Sequence, residues 1–135
     1  MKVYGNFING KFVKPNSKKY LEILNPYTEK VIAKVSDSNK QDVDLAVNSA
    51  RKAFDSGIWS DATVGERSSV LFKLADLIEK NLVKLAKLES INQGKTIKMA
   101  RDSDIPFALD NLRFFAGASR SLKDVTPQEY IDYHE

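Results

Sequence analysis

The hydrophobic pattern of this chain changes once, at Ser36-Asp37-Ser38, from short β-prone runs to apolar residues at helical spacing. This change predicts strands in the first part of the chain and helices in the rest. Before that point, short β-prone runs alternate with turn residues. Asn9-Gly10 divides the run 6–13, and an Asn-Gly pair supplies the positive φ angles of a tight hairpin turn. We predict two further strands, 20–24 and 31–35, joined by a turn at Asn25-Pro26 because proline cannot continue a central strand.

After the change, apolar residues recur at helical spacing. Ser38 followed by Gln41 has the pattern of a capping box, which predicts a first helix that begins there and ends near Gly57. A left-handed glycine is a frequent end of a helix. The predicted apolar stripe of this helix consists of Val43, Ala46, Val47, Ala50 and Phe54.

The helical pattern then continues with three further segments. A second helix is predicted from about Thr63 to Asn81, and helical spacing extends to about Asn92, where Gly94 would end it. The last segment starts near Thr96 and is interrupted around Pro106, which fits the first turn of the resumed helix. The predicted stripe of the second helix consists of Val70, Leu71, Leu74, Leu77 and Ile78.

Composition limits the class of protein. The 135 residues are enough for one domain, and the net charge of +3 gives little attraction to nucleic acid or an anionic membrane. No apolar run approaches the roughly 18 residues that span a bilayer, and no signal peptide follows Met1. There is no cysteine, so the chain itself offers no thiol nucleophile and no disulfide. We therefore expect a cytoplasmic protein that binds neither nucleic acid nor membrane.

Three motifs suggest a catalytic or binding site, and each of them also fits an ordinary structural role. His134 is the single histidine; it fits a solvent-facing tail, although spacing does not exclude a triad formed in space. Gly94-Lys95-Thr96 resembles the end of a phosphate-binding loop, but Glu89 stands where that motif has its first glycine. Asp102, Asp104 and Asp110 could bind a cation or act as acid and base, or Asp104 could cap a helix while the other two are surface charges.

An aromatic cluster follows these acids. Phe114, Phe115 and Arg113 form a cluster that is predicted to lie mostly in the core, whereas spacing leaves the direction of Phe107 open. No G-x-G-x-x-G dinucleotide fingerprint occurs in the sequence. The residues alone thus indicate a mixed domain without a self-contained active site.

The chain resembles the N-terminal part of aldehyde dehydrogenases from Phe7 to about His134. The stretch 104–106 together with 113–118 looks most like the aminoaldehyde and betaine aldehyde branch of that family. The resemblance rests on an ordered set of short motifs: Phe7-Ile8-Asn9-Gly10, Asn25-Pro26, Asp42-Val43-Asp44, Trp59, Glu66-Arg67, Leu74-Ala75-Asp76-Leu77-Ile78-Glu79, Gly94-Lys95, Asp104-Ile105-Pro106 and Arg113-Phe114-Phe115-Ala116-Gly117-Ala118.

The resemblance implies an α/β parent fold, of which this chain would be a mixed α+β piece. Residues 1–35 would form an N-terminal strand and hairpin segment. Residues 36–122 would be the helical part of the cofactor-binding domain. Residues 123–135 would begin an oligomerisation strand at the edge of a sheet.

The resemblance also implies a chemistry. Family members oxidise aldehydes with NAD or NADP, using a cysteine thiolate, and a glutamate-activated water releases the acid. These groups would lie downstream of Glu135, so we expect no catalytic and no cofactor-binding residue here. By resemblance, Phe107 lines the substrate tunnel and Asp104 lies near its mouth, where it could attract a cationic aminoaldehyde. Leu24 and Asn92 match positions around a monovalent-cation site, although many relatives have Asp at the second position.

Two hypotheses follow. The first is an N-terminal fragment of an NAD(P)-dependent aldehyde dehydrogenase, inactive alone and without bound cofactor, whose complete form binds an aldehyde and is a homo-oligomer, either a dimer or a tetramer. The second is a standalone helical interaction module that self-associates or complements a partner chain through its apolar helical face and its tail strand. The sequence leaves open which aldehyde is used and whether the cofactor is NAD or NADP.

Overall fold

The computed structural model describes residues 1–121, which form two compact units. The first unit contains residues 1–60 together with 91–94, and the second contains residues 61–90 and 95–121. Within this part of the chain, no helix has both the length and the apolar content that a bilayer span requires. The strand predicted within 123–135 lies outside the described residues.

The strands all lie in the first unit, so far as the structure describes the chain. They are β1 (Lys2–Tyr4), β2 (Asn6–Ile8), β3 (Lys11–Val13), β4 (Tyr20–Leu24) and β5 (Val31–Ser36). β5 is the central strand of a three-stranded sheet, parallel to β1 and antiparallel to β4, while β2 and β3 form a separate hairpin.

The turn chemistry of the sequence explains this arrangement. Asn9 and Gly10 have φ angles of 51° and 75° at the hairpin turn, which confirms the Asn-Gly prediction. The predicted strands 20–24 and 31–35 are confirmed as β4 and β5. The sequence pattern does not indicate β1, because a strand of three residues is too short to show an alternation.

Helix α1 (Lys40–Asp55) begins with a capping box one residue later than predicted. The side chain of Asn39 accepts a hydrogen bond from the amide of Asp42, and the carboxylate of Asp42 accepts one from the amide of Asn39. Ser38 instead donates its hydroxyl to Asn6 at 2.8 Å. The Ser38–Gln41 box is therefore wrong, because Asn and Asp provide both acceptors at the correct spacing. The end of the helix is as predicted, with Gly57 at φ 77°.

The second unit is helical. It contains α2 (Val64–Lys80), most of α3 (Leu82–Gln93), the short α4 (Ile97–Met99), a π-helical turn (Ala100–Asp104), α5 (Ile105–Ala118) and a 3₁₀ turn (Ser119–Ser121). Thr63 and Glu66 form the capping box that starts α2. Gly94, with φ 74°, follows the last residue of α3 as predicted. Short strands followed by a helical region confirm the predicted mixed α and β composition.

The helical path is not interrupted at Pro106. Instead, the π-helical turn leads directly into α5, with the amide of Ile105 bonded to the carbonyl of Ala100. Pro106 lies in the first turn of α5, where its missing N–H costs little, as predicted. A wider turn is one of the ways a helix accommodates a residue that cannot make the regular i−4 bond. Asp104 occupies the N-cap position but makes no capping hydrogen bond, so its predicted capping role is wrong.

The core of the second unit lies between α2 and α5, and its buried side chains are small. The hydroxyl of Ser68 on α2 donates to the carbonyl of Ala116 on α5 at 2.7 Å, and Ser68 is the largest side chain that is fully buried. Ala75 of α2 and Leu109 of α5 are also buried. Small residues at a helix contact let the two backbones approach closely.

Only part of the apolar stripe predicted for α2 faces inward. Val70, Leu74 and Leu77 are exposed in the described chain, whereas Leu71 and Ile78 are half-buried, and the most buried positions of the inward face carry small side chains. A hydrophobicity pattern selects the larger apolar residues, whereas close helix contact selects small ones. The inward-facing residues at helical spacing are Val64, Ser68, Leu71, Ala75 and Ile78.

Candidate functional site

The family resemblance predicts Asp104 near a substrate entrance, and the structure shows this carboxylate in an ion-pair cluster. Nζ of Lys95 lies 2.7 Å from Oδ2 of Asp104 and 2.9 Å from Oε1 of Glu89. The three side chains are 28%, 29% and 35% exposed, in the order Lys95, Asp104, Glu89. Ser90 donates its hydroxyl to the carbonyl of Lys95 at 2.7 Å, which holds the loop in place.

A second ion-pair group occupies the helix just before Asp104. The carboxylate of Asp102 accepts hydrogen bonds from Arg101 and, at 2.9 Å, from Lys98. Counted together, the two groups contain three carboxylates and three cations, so their formal charges cancel. A cationic aldehyde would therefore meet no net negative charge here, and contact with Asp104 would compete with Lys95.

These contacts shift the protonation of both groups. The hydrogen bond from Lys95 to Asp104, and then the one to Glu89, raise the pKa of the Lys95 ammonium above its usual value. The hydrogen bond from Arg101, followed by that from Lys98, holds the pKa of the Asp102 carboxyl well below its usual range. Lys95 and Asp102 therefore remain charged at neutral pH.

The raised pKa of Lys95 makes a prediction about alkaline stability. A lysine whose pKa is higher in the folded than in the unfolded state stabilises the fold. This stabilisation is complete below the unfolded-state pKa of about 10.4 and is lost as the pH rises through the folded-state pKa. Lys95→Gln should therefore lower the melting temperature of the chain at pH 8 and lose less stability above pH 10 than the parent does. Lys84→Gln is the control, because Lys84 forms no ion pair within residues 1–121. An equal loss of stability above pH 10 in the parent and in Lys95→Gln would contradict the prediction.

Phe107 presents its ring to solvent from the first part of α5. Its side chain is 71% exposed, and its carbonyl accepts a hydrogen bond from Asn111 at 2.9 Å. Phe114, two turns later on the same side, is also exposed and packs edge to face with Phe115, with ring centroids 5.2 Å apart. The prediction that Phe114 and Phe115 lie in the core is therefore wrong for the described chain, since Leu109 and Ala116 provide the buried face of α5.

Arg113, on the same helix, is held by carboxylates of α2. One terminal nitrogen lies 2.8 Å from Glu79 and 3.4 Å from Asp76, and these contacts raise the pKa of the guanidinium. The ion pairs link α5 to α2 at the rim of their contact. Arg113 therefore has a positioning role in the fold, with its charge already engaged.

Leu24 and Asn92, the predicted monovalent-cation contacts, both belong to the first unit. Leu24 ends β4 at an irregularity of its pairing with β5, and Asn92 is exposed in the last turn of α3. A Cβ placed on Gly94 would lie 3.0 Å from Cβ of Pro26, so the end of α3 packs against the turn after β4. Within residues 1–121, no three acidic or histidine side chains converge on a common metal position. The cation site stays a prediction.

Sequence reasoning missed Lys95 as a structural centre. The motif Gly94-Lys95-Thr96 draws attention to a phosphate loop, whereas the carboxylates that hold Lys95 lie six residues before and nine residues after it. A usable signal would have been a lysine in the short loop between two helical segments, with an acid on each of them.

Comparison with known proteins identifies the family. Residues 12–134 match the model of the aldehyde dehydrogenase family. The chain is 48% identical over 113 residues to 2-aminomuconic semialdehyde dehydrogenase from Bos taurus, which covers 84% of this chain and 22% of that protein. The chain spans about a quarter of the length of the curated relatives it matches.

Solved structures agree with this assignment. An aldehyde dehydrogenase from Bacillus cereus in complex with NAD+ superposes with a TM-score of 0.81 and 43% identity, over 86% of this chain and 24% of that chain. A betaine aldehyde dehydrogenase from Staphylococcus aureus gives a TM-score of 0.78 and 35% identity, over 82% of this chain and 22% of that chain. This chain therefore belongs to the aldehyde dehydrogenase family and corresponds to its N-terminal part.

Proposed function

We propose that this chain contributes the N-terminal part of an enzyme that oxidises an aldehyde to a carboxylic acid with NAD or NADP. The family match over residues 12–134 carries the proposal. The similarity to an NAD+ complex from Bacillus cereus supports the cofactor class. In this reaction a hydride leaves the aldehyde carbon for the nicotinamide, and water supplies the second oxygen of the acid.

The chain itself has the role of a scaffold and a substrate-facing surface. It contains no cysteine, so the thiolate that attacks the aldehyde in this chemistry must come from another part of the enzyme. The helical unit would present Phe107 toward the substrate, and its 71% exposure leaves the ring free to contact an aldehyde. Residues 123–135 would begin the strand through which the complete enzyme forms a homo-oligomer.

The substrate class we propose is an aldehyde that carries nitrogen. The relative from Bos taurus acts, by its name, on 2-aminomuconic semialdehyde, and the Staphylococcus aureus structure is of a betaine aldehyde dehydrogenase. Because the charges around Asp104 cancel, we assign the recognition of the substrate to the aromatic face of Phe107 rather than to long-range attraction. An aromatic ring face attracts a cation such as an aminoaldehyde ammonium.

A second function remains open because much of the apolar surface is uncovered in the described chain. Val43, Val47 and Phe54, in the predicted apolar stripe of α1, are all exposed in the described chain. Contiguous apolar patches of this kind usually mark an interaction surface. The alternative is therefore an interaction module that self-associates or complements a partner chain.

One preparation tests both functions. We expect the purified 135-residue chain to give no aldehyde-dependent NADH or NADPH, with betaine aldehyde and 4-aminobutanal as substrates, because it lacks a thiol nucleophile. Turnover by the isolated chain would refute the proposed division of roles. Sedimentation velocity over a hundredfold range of concentration measures association of the same sample, and a monomer throughout would argue against the self-associating module.

Phe107 provides the test of the substrate surface. In the complete enzyme, Phe107→Ala should lower kcat/KM for a cationic aminoaldehyde about fivefold relative to a neutral aldehyde of equal length, as expected for the loss of roughly 1 kcal/mol of cation–π attraction. Phe107→Tyr keeps a ring and should retain the preference. An unchanged ranking of substrates in Phe107→Ala would remove this residue from the substrate surface.

A further inference from the structure

The first unit contains a groove that the aldehyde chemistry does not use. Three segments form its walls: the hairpin β2–β3 with the loop that follows it, one face of α1, and the segment 56–59 after that helix. Its volume is about 800 Å³, within the roughly 300–1,000 Å³ of small-molecule sites. Helical spacing brings Leu45, Asn48, Ser49, Lys52 and Ala53 of α1 to this wall.

Hydrogen bonds fix the walls relative to one another. Oδ1 of Asp42, at the start of α1, accepts from the amide of Asn16 at 2.8 Å, and this contact ties the loop after the hairpin to the helix. Ser38 donates to Asn6 at 2.8 Å and anchors the beginning of β2 in the same way. The shape of the groove is therefore built into the fold of the first unit.

The floor of the groove is apolar. Trp59 and Leu45 are 48% and 56% exposed, although large apolar side chains are usually covered when a partner within the chain is available. Ile8, Val13, Ala53 and Ile58 complete this surface. An apolar group of a ligand would remove this area from water, which is the main favourable contribution in such sites.

Most of the charged side chains that line the groove are positive. Lys11, Lys14 and Lys52 form no ion pair with any residue of the described range. Asp42 is the one acid among the lining residues, and it is buried with its two oxygens occupied by the amides of Asn16 and Asn39. Three free ammonium groups thus surround an apolar floor, and a negative charge held there would be attracted by all three.

We propose that this groove binds a small amphipathic carboxylate, with the apolar body on Trp59 and Leu45 and the carboxylate among the three lysines. Lysine suits this role, because its stem packs on apolar surface while its ammonium reaches a charged group at the rim. The site is separate from the residues assigned to the aldehyde, and it does not depend on the proposed function.

The only tryptophan of the sequence reports binding directly. Decanoate, titrated into the 135-residue chain below its self-association concentration, should produce a saturable blue shift of the Trp59 emission. Decanol and decyltrimethylammonium, which have the same apolar body, should bind at least tenfold more weakly. Raising the salt from 0.05 to 0.5 M should weaken only the decanoate response, since screening acts on the charge and not on the alkyl chain.

Variants separate the parts of the site. The triple variant Lys11→Gln/Lys14→Gln/Lys52→Gln should bind decanoate at least tenfold more weakly, and Leu45→Asp should abolish the response. The matched control Lys73→Gln/Lys84→Gln/Lys87→Gln removes the same charge from the second unit and should leave the affinity unchanged. Circular dichroism establishes that each variant is folded. No saturable shift, equal binding of decanol, or equal losses in the two triple variants would overturn the proposal.

Discussion

Gly5→Ala is expected to destabilise the first unit by about 3 kcal/mol, the upper part of the usual range for overpacking. A Cβ added at Gly5 would lie 2.3 Å from the carbonyl oxygen of Val13 and 3.0 Å from its carbonyl carbon. The opposing atoms belong to the backbone and cannot rotate away as a side chain would. Relief of the clash requires Val13 to move, and Val13 pairs with Asn6 in the hairpin.

Hydrogen exchange measures the destabilisation by Gly5→Ala in the hairpin itself. Amides of the hairpin 6–13 should exchange on the order of 100-fold faster in Gly5→Ala, because about 1.4 kcal/mol corresponds to a factor of ten. Gly117→Ala is the matched control: no heavy atom lies within 4 Å of the added Cβ, and the residue lies within α5. That change should stabilise the second unit by roughly 0.5–1 kcal/mol. Similar effects at both positions would mean that the close approach at Gly5 does not exist.

The parts of the fold that could be predicted are those encoded by neighbouring residues. The turn at Asn9-Gly10, the start of α2 after Thr63 and the left-handed ends at Gly57 and Gly94 each depend on the conformational preference of one or two residues. The error at the start of α1 has the same origin, because Ser38 and Asn39 are both good caps. The choice between them depends on Asn6, which is distant in sequence and accepts a hydrogen bond from Ser38.

Hydrophobic periodicity did not predict which side of α2 and of α5 faces the core. In α2 and α5 the fully buried residues are small. Hydrophobicity favoured Val70 and Leu74 in α2 and the pair Phe114-Phe115 in α5, all of which are exposed in the described chain. For the candidate site, Asp104 ends the π-helical turn and Phe107 lies in the first turn of α5, so the helical path between them is continuous where the sequence predicts an interruption. The engagement of Asp104 by Lys95 could not be predicted, because it depends on how the loop after α3 folds back.

Leu109→Ala is expected to produce the largest loss of stability in the second unit, about 3 kcal/mol. Leu109 is 5% exposed and lies on the same face of α5 as Ala116, whose carbonyl accepts the hydroxyl of Ser68. The other buried side chains of this contact are small, so they cannot expand into the space that the leucine leaves. The cavity should therefore persist, and its cost adds to the lost burial. Urea unfolding, together with hydrogen exchange of the α5 amides, measures the change.

Phe107→Ala is the control for this prediction, because it removes a larger apolar side chain from the same helix two residues earlier. Its ring is 71% exposed, so the change should alter the stability of the second unit by less than about 0.5 kcal/mol. A loss at Phe107 equal to that at Leu109 would mean that α5 is rotated with the opposite face inward. The orientation of α5 thus decides both results: if Leu109 faces α2, then Phe107 faces away from it and remains available to a ligand.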